Sequence, residues 1–208
     1  MAEVVLFHSA LGLRPGVISA AERLRAAGHT VHTPDYYDGE VFDDLDEGMR
    51  KEESLGYQEI SRRAREFVSG LPDGLIYGGF SLGALHAEVL AASRPGALGA
   101  LLMHGAVPVE ALEEYFGVDR WPEGVPVQVH YAASDPWVET EEEVVPLGEA
   151  VRGAGAVFEA YTYPGSSHFF ADPGLPEYDR SSSEEMWHRV LSFLKRIDAR
   201  GSKVGESR

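Results

Sequence analysis

One serine in this chain stands where a serine can be made reactive. Residues 77 to 88 read YGGFSLGALHAE, and their centre, Gly79-Phe80-Ser81-Leu82-Gly83, fits G-x-S-x-G. That pattern lifts a serine on a sharp turn between a strand and a helix. A serine hydroxyl is a poor nucleophile until a neighbouring base takes its proton. Glycines two residues to either side leave room for strained backbone and let strand and helix pack closely. With 23 glycines in 208 residues such a match also arises by chance. Its bland reading is a glycine-rich turn with an idle serine. The apolar run before Ser81 and the helix-like run after it favour the reactive reading.

A serine of this kind needs a base and an acid, in the chain order Ser, Asp or Glu, His. Eight histidines compete for the base. His29, His32, His86, His130 and His188 fall inside predicted elements or just before a strand, and read as packing or surface residues. His168, in YPGSSHFFADP, follows the last predicted strand in a Gly-Ser loop and has the right order. Asp135, in HYAASDPWVE, comes three residues after a strand ending at Ala132. An acid there would hold the imidazole tautomer; its bland reading is an Asx-turn before Pro136. Asp172 and Asp179 follow the histidine and break the order.

An oxyanion needs two backbone donors. One is the N–H after the nucleophile, on Leu82; the other belongs to a loop after an earlier strand. The stretch HSALG, residues 8 to 12, is that loop, with Ala10 as the donor. Ser9, Leu11, Tyr36, Phe80, Trp137 and Phe169 are candidate pocket residues, with Tyr37 beside them. His8 and His104 also end strands; either could line the pocket, and a packed or hydrogen-bonded histidine is the first reading.

These residues must be held by regular elements. Apolar runs predict strands over 4–8, 30–33, 75–80, 97–103, 125–132 and 157–163. Apolar spacing of three and four residues predicts helices over 15–28, 57–69, 82–93, 141–152 and 183–197. The fourth opens on three glutamates, which suit the positive end of a helix dipole; the last has Ser183 as its N-cap. Residues 35 to 52 are acidic and irregular and form a candidate lid. Residues 199 to 208 are small and polar and are expected to be a disordered tail after a single domain over 1–198. Strands alternating with helices predict an α/β fold, a mostly parallel central sheet with helices on both faces. In such sheets the site lies at the carboxyl ends of the strands. Ser81, Asp135 and His168 all follow strands.

Bulk properties narrow the function. The formal net charge is -16 and the pI near 4.8, so the chain repels polyanions and nucleic acid is not an expected partner. No cysteine is present, which removes disulfides, thiol catalysis and zinc–thiolate sites. The first residues carry Glu3 and no basic segment, so no signal peptide is expected. The longest weakly polar stretch, about 75–92, is broken by Ser81, His86 and Glu88, and no membrane partner is expected. The expectation is a cytoplasmic protein, a monomer or homodimer.

With these residues placed, the chain resembles the dienelactone hydrolase family of α/β-hydrolases over most of its length. The resemblance rests on the short N-terminus entering the oxyanion strand, on TPDYYDG, on the elbow GGFSLGA, on SDPWV and on YPGSSHFFADPGLPEYD. It implies the minimal α/β-hydrolase fold and a catalytic set of Ser81, Asp135 and His168. Two departures stand out. The family's namesake enzymes use a cysteine nucleophile with a glutamate in the oxyanion loop; here the corresponding residues are Ser81 and Ser9. Those enzymes also hold a substrate carboxylate with arginines, one of them four residues after the histidine, where this chain has Asp172. An acid there would repel an anionic substrate. The resemblance therefore implies a serine hydrolase acting on a small neutral ester, lactone or thioester, with no metal or cofactor. The alternative is a non-catalytic binding or regulatory protein on a hydrolase scaffold.

Overall fold

The computed structural model describes residues 1–205, with side chains described through residue 199. Six strands, β1 (Glu3–Phe7), β2 (Thr30–His32), β3 (Leu75–Phe80), β4 (Gly99–Met103), β5 (Val127–Ala132) and β6 (Phe158–Tyr163), form one sheet in the order β2-β1-β3-β4-β5-β6. Every pairing in it is parallel. Each strand lies within two residues of its expected bounds. β3, β4 and β5 are buried along their whole length; β3 and β4 accordingly read as unbroken apolar runs, while β5 buries Gln128 and His130 hydrogen-bonded to each other.

Helices α1 (Pro15–Ala26), α2 (Leu45–Leu55), α3 (Tyr57–Ser69), α4 (Leu82–Ser93), α5 (Val109–Phe116), α6 (Val145–Gly153) and α7 (Arg180–Gly205) cover the sheet. Successive strand residues point to opposite faces. Val4, Leu6, Ile76, Leu101 and Met103 pack with Val17 and Leu24 of α1 and with Met186, Val190 and Leu194 of α7. Val5, Phe7, Tyr77, Leu102 and Val129 pack with Ile60 of α3, Ala87 of α4, Leu112 of α5 and Leu147 of α6. α4 is buried nearly all round, including His86 and Glu88.

Four features depart from the sequence expectation. The irregular stretch 35–52 contains most of α2, which begins where Asp44 accepts a hydrogen bond from the Glu47 N–H at 3.0 Å. Its sequence, LDEGMRKEESL, is charge-rich with a central glycine, so no apolar stripe announces it. α5 is a short helix between β4 and β5, where the sequence predicts no element. The helix expected over 141–152 is divided into a π-helical turn, Thr140–Val144, and α6. Pro146 has no N–H to give to the preceding turn, so the three glutamates lie in the π-turn rather than on α6. Finally, α7 starts at Arg180 because Asp179, not Ser183, caps it: the Asp179 carboxylate accepts from the Ser182 N–H at 2.6 Å. Ser183 is buried instead. α7 continues through residues 199–205, since adding residues to a formed helix costs little; the remainder of the expected tail, 206–208, lies outside the described residues. No helix among the described residues is long and apolar enough to cross a membrane.

Candidate active site

Ser81 links the end of β3 to the start of α4 at φ 53°, ψ −117°, a conformation that costs about 1–3 kcal/mol for a residue with a side chain. The surroundings compel it. A Cβ on Gly79 would stand 2.0 Å from the Gly83 carbonyl oxygen, and one on Gly83 would stand 2.5 Å from the carbonyl oxygens of Phe7 and His8. Strand, helix and β1 are thus in backbone contact, the close packing the two glycines allow. The Ser81 N–H donates to the Met103 carbonyl at 2.7 Å, tying the turn to the end of β4.

The loops after β3, β5 and β6 bring three side chains together. His168 Nε2 lies 2.9 Å from Ser81 Oγ. His168 Nδ1 lies 3.0 and 2.9 Å from the two Asp135 carboxylate oxygens. A carboxylate accepts, so Nδ1 carries the proton and Nε2 is free to accept from the serine hydroxyl. Asp135 Oδ1 also accepts from the Trp137 N–H at 3.0 Å. The Asx-turn and the contact with His168 therefore coexist at Asp135.

Leu82 and Ala10 border the same space. Leu82, as the first residue of α4, has an N–H without an intrahelical acceptor, and the Ala10 N–H has no backbone acceptor among the described residues. The loop that carries Ala10 is anchored from beneath. His8 Nδ1 donates to the Ser9 carbonyl at 2.7 Å, the Tyr36 ring stacks on His8 with centroids 3.7 Å apart, and the Tyr36 hydroxyl donates to the His8 carbonyl. Ser9 Oγ accepts from the Leu11 N–H at 3.2 Å.

Ser81 and His168 open onto a cleft of ≈ 250 Å³. Of the expected pocket residues, Trp137 lines it and the others do not. Tyr36 is fully buried as the prop of His8. Leu11 packs against Phe169 and Leu175. Ser9, Phe80 and Phe169 border a separate crevice of ≈ 20 Å³ that also holds Asp172, room for about one water. Tyr37 belongs to the core beside His8. The expected repulsion by Asp172 is misplaced as well. Its carboxylate accepts from Arg14 Nε at 3.3 Å, and Arg14 also donates to the carbonyls of Phe42 and Gly174.

The cleft is walled instead by residues the sequence did not single out. Leu45, Met49 and Glu52 descend from α2, Leu85 from α4, Gly105 to Val107 from the loop after β4, and Glu143 from the π-turn. The spacing 45, 49, 52 is one helix face, a signal visible only once α2 is known to be a helix. The candidate lid is thus a helix whose inner face meets the cleft. His104 lines the cleft too, at φ 63° with Nδ1 unpartnered. Its ring stacks on Phe80 and lies 5.8 Å from the His168 ring. Burial holds His104 neutral, its pKa well below the ordinary histidine value. Burial pushes the carboxyls of Glu52 and Glu143 up from their ordinary value. Among the described residues no three His, Asp or Glu side chains are placed to hold a metal ion.

Comparison with known proteins places the chain in a family. The sequence profile of the dienelactone hydrolase family matches residues 1–198. The chain belongs to the dienelactone hydrolase family. Membership carries the α/β-hydrolase fold, in keeping with the parallel six-stranded sheet. Among solved structures, this family member is similar to a dienelactone hydrolase-like promiscuous phosphotriesterase from metagenomic libraries, with TM-score 0.74, 22% identity, and 95% of this chain and 87% of that one covered. It is also similar to a cold-adapted esterase from an Arctic intertidal metagenomic library, with TM-score 0.64, 18% identity and coverage of 94% and 82%. In sequence it matches an Escherichia coli (strain K12) protein that carries a provisional name as a carboxymethylenebutenolidase, 32% identical over 62 residues. That match spans 30% of this family member and 23% of the relative's length.

Proposed function

We propose that the protein is a serine esterase that cleaves a small carboxylic ester, lactone or thioester through an acyl-serine intermediate. One observation carries this reading: His168 Nε2 is 2.9 Å from Ser81 Oγ while Nδ1 of the same ring donates to buried Asp135. His168 takes the Ser81 proton as Oγ attacks the substrate carbonyl carbon, and Asp135 stabilises the resulting imidazolium. The N–H groups of Leu82 and Ala10 receive the developing oxyanion. Collapse of the tetrahedral species expels the alcohol or thiol, which takes the proton from His168. Water, deprotonated by His168, then attacks the acyl-serine, and the acid leaves as Ser81 regains its proton.

The test is turnover of p-nitrophenyl acetate and butyrate by wild type and Ser81→Ala, with fluorophosphonate labelling of the wild type. Loss of about 10⁴-fold or more in the variant, with labelling at Ser81 that heat denaturation abolishes, is the expected result. Equal rates in the two proteins and no labelling would remove Ser81 as nucleophile and leave a binding protein on a hydrolase scaffold.

A further inference from the structure

The cleft that opens on Ser81 has a one-sided charge. Two carboxylates face it, Glu52 from α2 and Glu143 from the π-turn, and no lysine or arginine among the described residues lines it. Neighbouring cations are engaged elsewhere: Lys51 pairs with Glu40, Arg50 with Glu47, and Arg14 with Asp43 and Asp172. Glu143 Oε2 accepts one backbone N–H, from Glu139 at 3.0 Å. The Glu52 carboxylate is half-buried and makes no hydrogen bond or ion pair among the described residues. A carboxylate withdrawn from water without a partner is costly unless a cation or a proton meets it. Apart from Ser81, His168 and the buried, neutral His104, the rest of the wall is mostly apolar, with Leu45, Met49, Leu85, Val107 and the indole of Trp137. An aromatic face attracts a cation, and apolar walls suit one whose charge is wrapped in alkyl groups.

We propose that this cleft selects esters bearing an alkylammonium group, held by Glu52 and Glu143 beside the Trp137 ring, and rejects anionic esters. The proposal rests on the esterase reading and adds its substrate class. It also relocates the discrimination against anions, from Asp172, whose charge Arg14 neutralises, to the cleft itself. The elevated carboxyl pKa values of Glu52 and Glu143 agree with acids awaiting a counter-charge.

The test has two arms. In the first, kcat/KM at pH 8 and low salt is compared for acetylcholine, for its neutral isostere 3,3-dimethylbutyl acetate, and for a succinate half-ester. Wild type is expected to favour the cation over the neutral isostere by about tenfold or more, with the anion slowest. In Glu52→Gln/Glu143→Gln, and more weakly in Glu52→Gln alone, that ratio is expected to fall towards one. A wild-type ratio near one, or a ratio unmoved in the variants, overturns the proposal. In the second arm, calorimetry follows choline and 3,3-dimethylbutanol binding to Ser81→Ala, which needs no turnover. Choline-selective binding that weakens with Glu52→Gln and disappears with Glu52→Gln/Glu143→Gln supports the cation site even if no ester is cleaved, in which case the esterase reading alone fails. Equal affinity for the two alcohols, or binding of neither, overturns the cation site even if esters are cleaved.

Discussion

Gly48 of α2 is packed backbone to backbone on Ala10: a Cβ at residue 48 would stand 2.4 Å from the Ala10 carbonyl oxygen. The helix that walls the cleft and the loop proposed to supply an oxyanion donor are therefore one mechanical unit. Gly48 is also the one buried residue of α2, so this contact sets how far the helix descends.

Gly48→Ala should separate the two. The new methyl group meets backbone on Ala10 and cannot be relieved by a rotamer change. The expected cost is about 1–3 kcal/mol of stability, together with a drop of about 10- to 100-fold in ester turnover as Ala10 is displaced. Urea unfolding and kcat on p-nitrophenyl acetate read the two effects. Full activity would show that α2 and the Ala10 loop move independently.

Arg14 secures the segment leading into α2. Its guanidinium, almost wholly buried, reaches the Phe42 carbonyl, Asp43, Asp172 and the Gly174 carbonyl. Arg14→Met should leave the Asp172 carboxylate uncompensated and cost about 3–5 kcal/mol. Limited proteolysis should then cut within residues 39–44 faster than in wild type. Unchanged cleavage there would mean that Arg14 does not hold the segment.

Glu88 gives stability a pH signature. It is fully buried on α4; one oxygen accepts from the Val107 N–H at 3.0 Å and the other has no partner. Burial raises its folded pKa well above the ordinary 4.5. The folded state thus keeps a proton that the unfolded chain releases as pH rises past 4.5, so this acid lowers stability progressively above that pH. Glu88→Gln removes the proton linkage and should gain stability relative to wild type as pH increases from 5 to 8. A difference in urea midpoint that stays constant over that range would contradict a protonated Glu88.

The strands and most of the helices were legible because their burial is written directly in residue type. β3 and β4 are apolar on both faces, β5 interrupts its apolar run only at Gln128 and His130, and the stripes of α1 and α7 repeat at helical spacing. α2 was hidden because its face is defined by what it covers: Leu45, Met49 and Glu52 mix apolar and charged residues, and only the cleft makes them one surface. The π-turn was hidden for a related reason. Its glutamates satisfy a dipole argument for a regular helix, and Pro146 displaces that helix by one turn. Of the expected pocket aromatics Trp137 alone meets the cleft; Tyr36, Phe80 and Phe169 do not, since an aromatic side chain next to a site is as well spent holding it up, as Tyr36 does under His8.

By itself the sequence determined the chemistry that is available here. Gly79, Ser81 and Gly83 state their turn locally, because only small residues tolerate the backbone approaches at that point. The Ser, Asp, His order follows from loops at one end of a parallel sheet, and that order is a property of the chain. What the tertiary structure decided is the company the serine keeps. Glu52 and Glu143 lie 91 residues apart in the chain and share a cleft only after α2 has docked on Ala10 and the π-turn has rotated its third glutamate inward. Wall composition depends on how far and at what angle elements approach, which is set by packing between segments remote in sequence.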